Sequence, residues 1–206
     1  SDVCSSDLGA RGLRASGPED NLEMALLADG VAPADVYATL ATNAGADRAF
    51  AKFDTIKKNI VWWRKSSDAL AMLNDGRATM ITALNGALYD AASAGESTKI
   101  LWDGQRYEFE AFGIVKGTPR KKEAMDFVRF ATDAARQAAM AARQPYGPAR
   151  RSALDLLRES PKTNDTRDYL PTLERRLDNA LALDWDWWTN HGAPLRARWQ
   201  HWLAAP

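Results

Sequence analysis

Glu108 and Glu110 stand two residues apart among Tyr107, Phe109 and Phe112. Carboxylates beside aromatic rings can hold an organic cation by charge-assisted hydrogen bonds and cation–π contact. If residues 107–115 form a strand, Glu108, Glu110, Phe112 and Ile114 share one face, because side chains in a strand repeat every two residues. The competing reading is the solvated face of an edge strand. Tyr146, between Pro145 and Gly147, is a second candidate: a short turn can present its ring and hydroxyl to a ligand, or pack the ring on its own helix. Asn85-Gly86 closes an apolar run, and α/β sheets bind ligands beyond the carboxyl ends of their strands. Trp102 and Asp103 end the next predicted strand, where a Trp serves core and ligand platform equally well.

A catalytic set does not assemble from these residues. The histidines are His191 and His201, both near tryptophans in the C-terminal stretch. No Gly-x-Ser-x-Gly elbow, phosphate-binding loop, dinucleotide fingerprint or His/Cys metal spacing occurs. Glu108 and Glu110 on one strand face would lie side by side and could not flank a scissile bond from opposite sides. Cys4 is the single cysteine, so no disulfide and no cysteine metal site forms within the rest of the chain. No cofactor and no metal is expected.

The 206 residues are 46% hydrophobic and 26% charged, with 27 basic and 27 acidic side chains. That composition is globular, and it lacks the basic excess that a nucleic-acid or anionic-membrane surface requires. The longest apolar runs have strand length, well short of the roughly 20 residues of a membrane-spanning helix.

The elements that must position the candidates alternate. Pro18 and Asp29-Gly30 bracket a helix carrying Leu22, Met24, Leu26 and Leu27, and residues 31–46 read as loop. Asp47 caps a predicted helix burying Ala49, Phe50, Phe53, Ile56 and Ile60 at spacings of three and four. Ile60-Val61-Trp62-Trp63 predicts a strand, and a helix from Ser66 or Ser67 stops at Asp75-Gly76. Residues 78–84 predict a strand covered on both faces, 87–94 a helix, and 98–102 and 107–115 further strands. Thr118-Pro119 opens a helix with Ala124, Phe127, Val128 and Ala131 on its buried side. An alanine-rich helix follows over 134–143, then one through Leu154, Leu156 and Leu157, then a polar linker over 160–169. The C-terminal stretch pairs Trp185 with Trp188 and Trp199 with Trp202 at helical spacing, which suits docking of a terminal helix better than a ligand platform. The order predicts an α/β fold.

Asn85-Gly86 after an apolar strand, Trp102-Asp103-Gly104, Gly113-Ile114-Val115-Lys116-Gly117 and Pro145-Tyr146-Gly147-Pro148 occur in the order and spacing of a known family. In this the chain resembles the C-terminal portion of an extracellular solute-binding protein of a bacterial ABC importer, nearest the spermidine/putrescine-binding group. The resemblance implies a two-lobed, periplasmic-binding-protein-like (type II) architecture, present here as an incomplete fragment. On that analogy residues 16–112 form the second lobe, 113–158 return to the first, and 159–206 are Trp-rich helices docking on the second.

The implied function is capture of a small, polyamine-like cation in an interlobe cleft and its delivery by a monomeric periplasmic protein to membrane permease subunits. Glu110 aligns with the carboxylate that polyamine binders place near the hinge, and Tyr146 with a cleft-facing tyrosine. Leu84 departs from the pattern, because those binders often carry a Trp just before this Asn-Gly. The departure leaves thiamine-like cations, amino-acid derivatives, iron complexes and sugars open as solutes, and an α/β enzyme or a sensor reusing the fold as other functions.

Residues 1–15 show neither an export signal nor a periodic apolar face. SDVCSSDL resembles translated adaptor sequence, so this segment is expected to be non-native and to stand where an N-terminal portion with its signal peptide was lost. Without the opposing lobe, the chain by itself is expected to hold no solute tightly.

Overall fold

The computed structural model describes residues 9–159 and 164–205. In chain order the elements are β1 (Arg11–Arg14), α1 (Glu19–Ala28), a 3-10 turn (Pro33–Asp35), α2 (Val36–Leu40), α3 (Asn43–Asp54), β2 (Ile60–Trp63), α4 (Ser66–Asn74), β3 (Met80–Ile81) and α5 (Asn85–Ser93). They continue with β4 (Arg106–Tyr107), α6 (Lys121–Ala131), α7 (Ala134–Ala141), α8 (Arg151–Glu159), α9 (Asn164–Arg167), α10 (Glu174–Leu177), β5 (Leu181–Ala182) and α11 (Trp185–Ala204). The chain divides into two compact units. The first runs to Tyr107 and resumes at Asp178; the second is Glu108–Leu177. The divisions fall five residues before the expected boundary at 112 and nineteen after the one at 158, so the described part of 164–177 groups with the second unit.

The first unit is built on a parallel sheet of order β2-β1-β3, with Arg11 opposite both Ile60 and Met80. This corrects the exclusion of residues up to Ala15, since Arg11–Arg14 is the central strand and Leu13 is buried. Two of its four residues are arginines, which masks the apolar alternation. Arg11 is buried and turns its guanidinium back to the Gly9 carbonyl. At Gly12 a Cβ would meet Ile81 Cγ2 at 2.7 Å, so only glycine lets β3 pack this closely.

Around the sheet, Leu22, Ala25 and Leu26 of α1 and Ala49, Phe50 and Phe53 of α3 form one core with Trp188 and Trp199 of α11. Trp199 packs edge-on against Phe53 and Trp62, with centroids at 5.7 and 5.6 Å. Where a loop was predicted over 31–46, the 3-10 turn and α2 bury Val36 and Leu40. The cap of α3 is Thr42, whose hydroxyl accepts from Gly45 N–H at 3.0 Å, in place of Asp47. The predicted strand over 78–84 shrinks to Met80-Ile81, and 98–102 has no regular structure. Of the expected tryptophan pair, Trp188 is fully buried and Trp185 is 52% exposed at the first helical position. Trp187 packs in its place, on Tyr37 at 5.2 Å.

In the second unit α7 and α8 close Ala138, Ala141, Ala153, Leu157 and Leu170 into a small core. Asp133 caps α7 by accepting from Ala135 and Arg136 N–H. Residues 160–163 of the predicted linker lie outside the described residues. Two expectations fail here for a common reason. Residues 108–115 form no strand, because a ladder needs a partner and none pairs with them among the described residues. Helix α6 has no buried residue, and its Phe127 is 58% exposed, meeting Phe112 edge-on at 5.8 Å.

Candidate functional site

The carboxyl ends of the parallel strands in the first unit collect polar groups on short connections. After β1, Arg14 donates from Nε to Ser16 Oγ at 2.8 Å and lies 3.5 Å from Asp20, leaving 49% of its side chain exposed. Asn21, buried on α1, donates to the carbonyls of Arg14 and Gly17 at 2.8 and 3.1 Å and so fixes the turn from strand to helix. After β2, Trp63 donates to Gly12 O, and Arg64 follows it exposed. After β3, Thr82 N–H donates to Gly12 O at 2.9 Å, Leu84 stands 61% exposed, and Asn85 begins α5 half-buried.

The carboxylates of α1, which follows β1, are already engaged. Asp20 pairs with Arg106 and Arg14. Glu23 is fully buried, and its Oε1 accepts from Trp188 Nε1 at 2.6 Å and from the Tyr37 hydroxyl at 2.8 Å. Burial pushes the Glu23 carboxyl up from 4.5 to about 7, against the downward pull of those two hydrogen bonds and of the Arg106 charge. Tyr37 is also driven upward, by burial first and by the neighbouring Glu23 second. Arg14, though paired with Asp20, keeps about half of its side chain exposed, and Arg64, next in sequence after β2, is exposed.

The predicted site residues fall into separate places. Asn85 lies four residues past β3, as the first residue of α5. Trp102 and Asp103 precede a turn in which Gln105 N–H donates to Trp102 O at 3.1 Å. Trp102 is half-buried, and Asp103 accepts from Asn179 Nδ2 at 2.7 Å. Neither ends a strand. Glu110 and Tyr146 belong to the second unit. Glu110 is exposed, and its one-face pairing with Glu108, Phe112 and Ile114 is corrected, since 108–115 is not a strand. Tyr146 is 49% exposed, and Gly147 beside it packs so closely on Thr172 that a Cβ would lie 2.3 Å from Cγ2.

Arg14, Arg64, Glu23 and Arg106 went unselected. The signal for Arg14 was present in ARGLRASGPEDNLEMALL, a strand, a Gly-Pro turn and an amphipathic helix. For Glu23 and Arg106 no local signal exists, because they meet across 83 positions of chain. No group of three or more potential metal-ligating side chains occurs among the described residues. No helix there is long and apolar enough to cross a membrane.

The model of a family described as bacterial extracellular solute-binding protein matches residues 5–170. The chain is 41% identical over 196 residues to the gamma-aminobutyric acid-binding protein of Pseudomonas aeruginosa, covering 95% of this chain and 54% of that protein. It thus spans about half the length of that relative. The solved structure of a GABA receptor superposes with a TM-score of 0.73 at 27% identity, over 96% of this chain and 58% of the other. The binding protein AgtB of A. tumefaciens R10, in complex with agropinic acid, gives 0.74 at 27%, over 98% and 61%. The fold is the type II periplasmic-binding-protein fold, a mixed α/β architecture.

Proposed function

Since the chain belongs to the bacterial extracellular solute-binding protein family, we propose that it serves the substrate-binding component of a periplasmic ABC importer and captures an amino-acid derivative bearing a carboxylate. The observation that carries this reading is the charge at the strand ends. Arg64 is exposed there and Arg14 half exposed, sharing Asp20 with Arg106, while Glu23 is committed to Tyr37 and Trp188. A guanidinium fork matches a carboxylate in geometry and charge. A polyamine needs carboxylates, and Asp20 and Glu23 at this edge are committed. Leu84, at the place of a stacking Trp, points the same way. The relatives agree in kind: one is named for gamma-aminobutyric acid and another holds agropinic acid.

In the second unit, taken by itself, the exposed Glu110 and Tyr146 stay proposed solute contacts, a carboxylate that accepts from an ammonium and a ring face. Asn85, Trp102 and Asp103 stay proposed solute contacts of the first unit. The protein binds and does not transform: closure on the solute and presentation to a permease complete its task.

Nuclear magnetic resonance of the labelled chain tests the reading directly, because weak binding still shifts amide signals. γ-Aminobutyrate should shift the amides of Ser16, Arg64 and Asn85, and putrescine should leave them in place. The reverse pattern would restore a polyamine as the solute.

A further inference from the structure

Asp20 stands between two guanidiniums. This carboxylate, in the first turn of α1, pairs through Oδ1 with Nη2 of Arg106, the first residue of β4, and its Oδ2 lies 3.5 Å from Nη1 of Arg14 at the end of β1. The two contacts are unequal. The side chains of Asp20 and Arg106 are 21% and 17% exposed, whereas that of Arg14 is 49% exposed and its contact is at the limit of a hydrogen bond. Arg106 also holds a donor in reserve. Among the described residues its buried Nη1 has no hydrogen-bond partner, while its Nε lies 3.6 Å from Glu23 Oε2. Arg14 is steadied from elsewhere, donating from Nε to Ser16 Oγ at 2.8 Å.

On the reading that Arg14 receives a solute carboxylate, we propose that Asp20 is a place-holder for that carboxylate: it keeps Arg14 until the solute arrives, then gives Arg14 up and closes with both oxygens on Arg106.

The exchange leaves no charge unpaired. A solute carboxylate on Arg14 cancels the attraction that holds Asp20 Oδ2 there, and its own negative charge repels Asp20. Oδ2 then has Nη1 of Arg106 to accept from. With Oδ1 already on Nη2, the pair becomes a two-pronged fork, the strongest geometry open to these groups. Ser16 keeps Arg14 in place meanwhile. The place-holder also selects, because only an anion can take its part at Arg14. Since the solute must displace it, affinity is lower by the worth of a partly exposed ion pair. Arrival of the solute at the end of β1 is thereby felt at β4.

Titration of the labelled full chain with γ-aminobutyrate, followed at the Ser16 and Asn85 amides, tests the exchange. Asp20→Asn should tighten binding about two- to fivefold, the worth of a partly exposed ion pair. Asp20→Ala should do the same, which separates loss of the competitor from any new bond made by an Asn amide. Arg106→Gln should weaken binding about two- to fivefold, because Asp20 then has only Arg14 to hold, but by less than about 1.5-fold in an Asp20→Asn background, because Arg106 acts through Asp20. If the parent binds γ-aminobutyrate and neither Asp20 variant binds it more tightly, the place-holder falls and the solute reading stands. Equal weakening by Arg106→Gln with and without Asp20 would mean a plain charge effect and would also overturn the place-holder. No binding by the parent or by Asp20→Asn would overturn both.

Discussion

The two units use the same kinds of helix and bury them very differently. In the first, Leu22, Phe50, Phe53, Trp188 and Trp199 close over a three-strand parallel sheet and are almost wholly removed from water. In the second, an alanine-rich pair of helices makes a small core, while Phe109, Phe112, Phe127 and Phe130 stay exposed. Helix α6 is as clearly amphipathic in sequence as α3. The difference is a partner: an apolar stripe gains stability only from the surface it meets, and a β-rich stretch becomes a strand only beside another.

That contrast can be broken most forcefully at Trp188. Trp188→Ala should destabilise the first unit by about 3–5 kcal/mol, the range for a buried Trp, and it also removes a donor from buried Glu23. Denaturant unfolding followed by Trp fluorescence reads it, since none of the tryptophans lies in residues 108–177. Next in size, Leu170→Ala should cost about 2–4 kcal/mol, but in the second unit alone. It should lower the far-ultraviolet dichroism midpoint of α7 and α8 and leave the Trp fluorescence midpoint where it was. A common shift in both signals would mean that the units unfold as one. Thr42→Ala, which strips α3 of its cap, should cost about 1 kcal/mol. Phe127→Ala should change stability by less than about 0.5 kcal/mol, because its ring is already largely in water.

Local chemistry was what the sequence displayed best. The Pro18 and Gly30 limits of α1, the Ile60–Trp63 strand, the Gly76 helix stop and the three-four spacing of α3 are all settled within a dozen residues. Long-range pairing was hidden. Arg11–Arg14 looked too polar for a strand, yet it is the centre of the sheet, because neighbours 49 and 69 positions away cover it. Residues 108–115 failed the opposite way, having strand composition and no strand to pair with among the described residues, while Tyr107 before them pairs with β5. The candidate site divides along the same line. Asn85 and Tyr146 were singled out on local signals, an Asn-Gly after an apolar run and Pro-Tyr-Gly-Pro, and the first of these opens helix α5. Trp188, Tyr37 and Arg106 converge on Glu23 from three distant segments, and no spacing rule announces that.

The central functional claim is that a guanidinium at the end of β1 receives a solute carboxylate. Its most direct measurement is the affinity of the chain for γ-aminobutyrate with and without that charge, read by the shifts of the Ser16 and Asn85 amides. Arg14→Gln should weaken binding by about 1.5–3 kcal/mol, roughly tenfold to a hundredfold, as expected for a lost hydrogen bond to a charged group. Equal affinities in the parent and the variant, or tighter binding of putrescine than of γ-aminobutyrate by the parent, would contradict it.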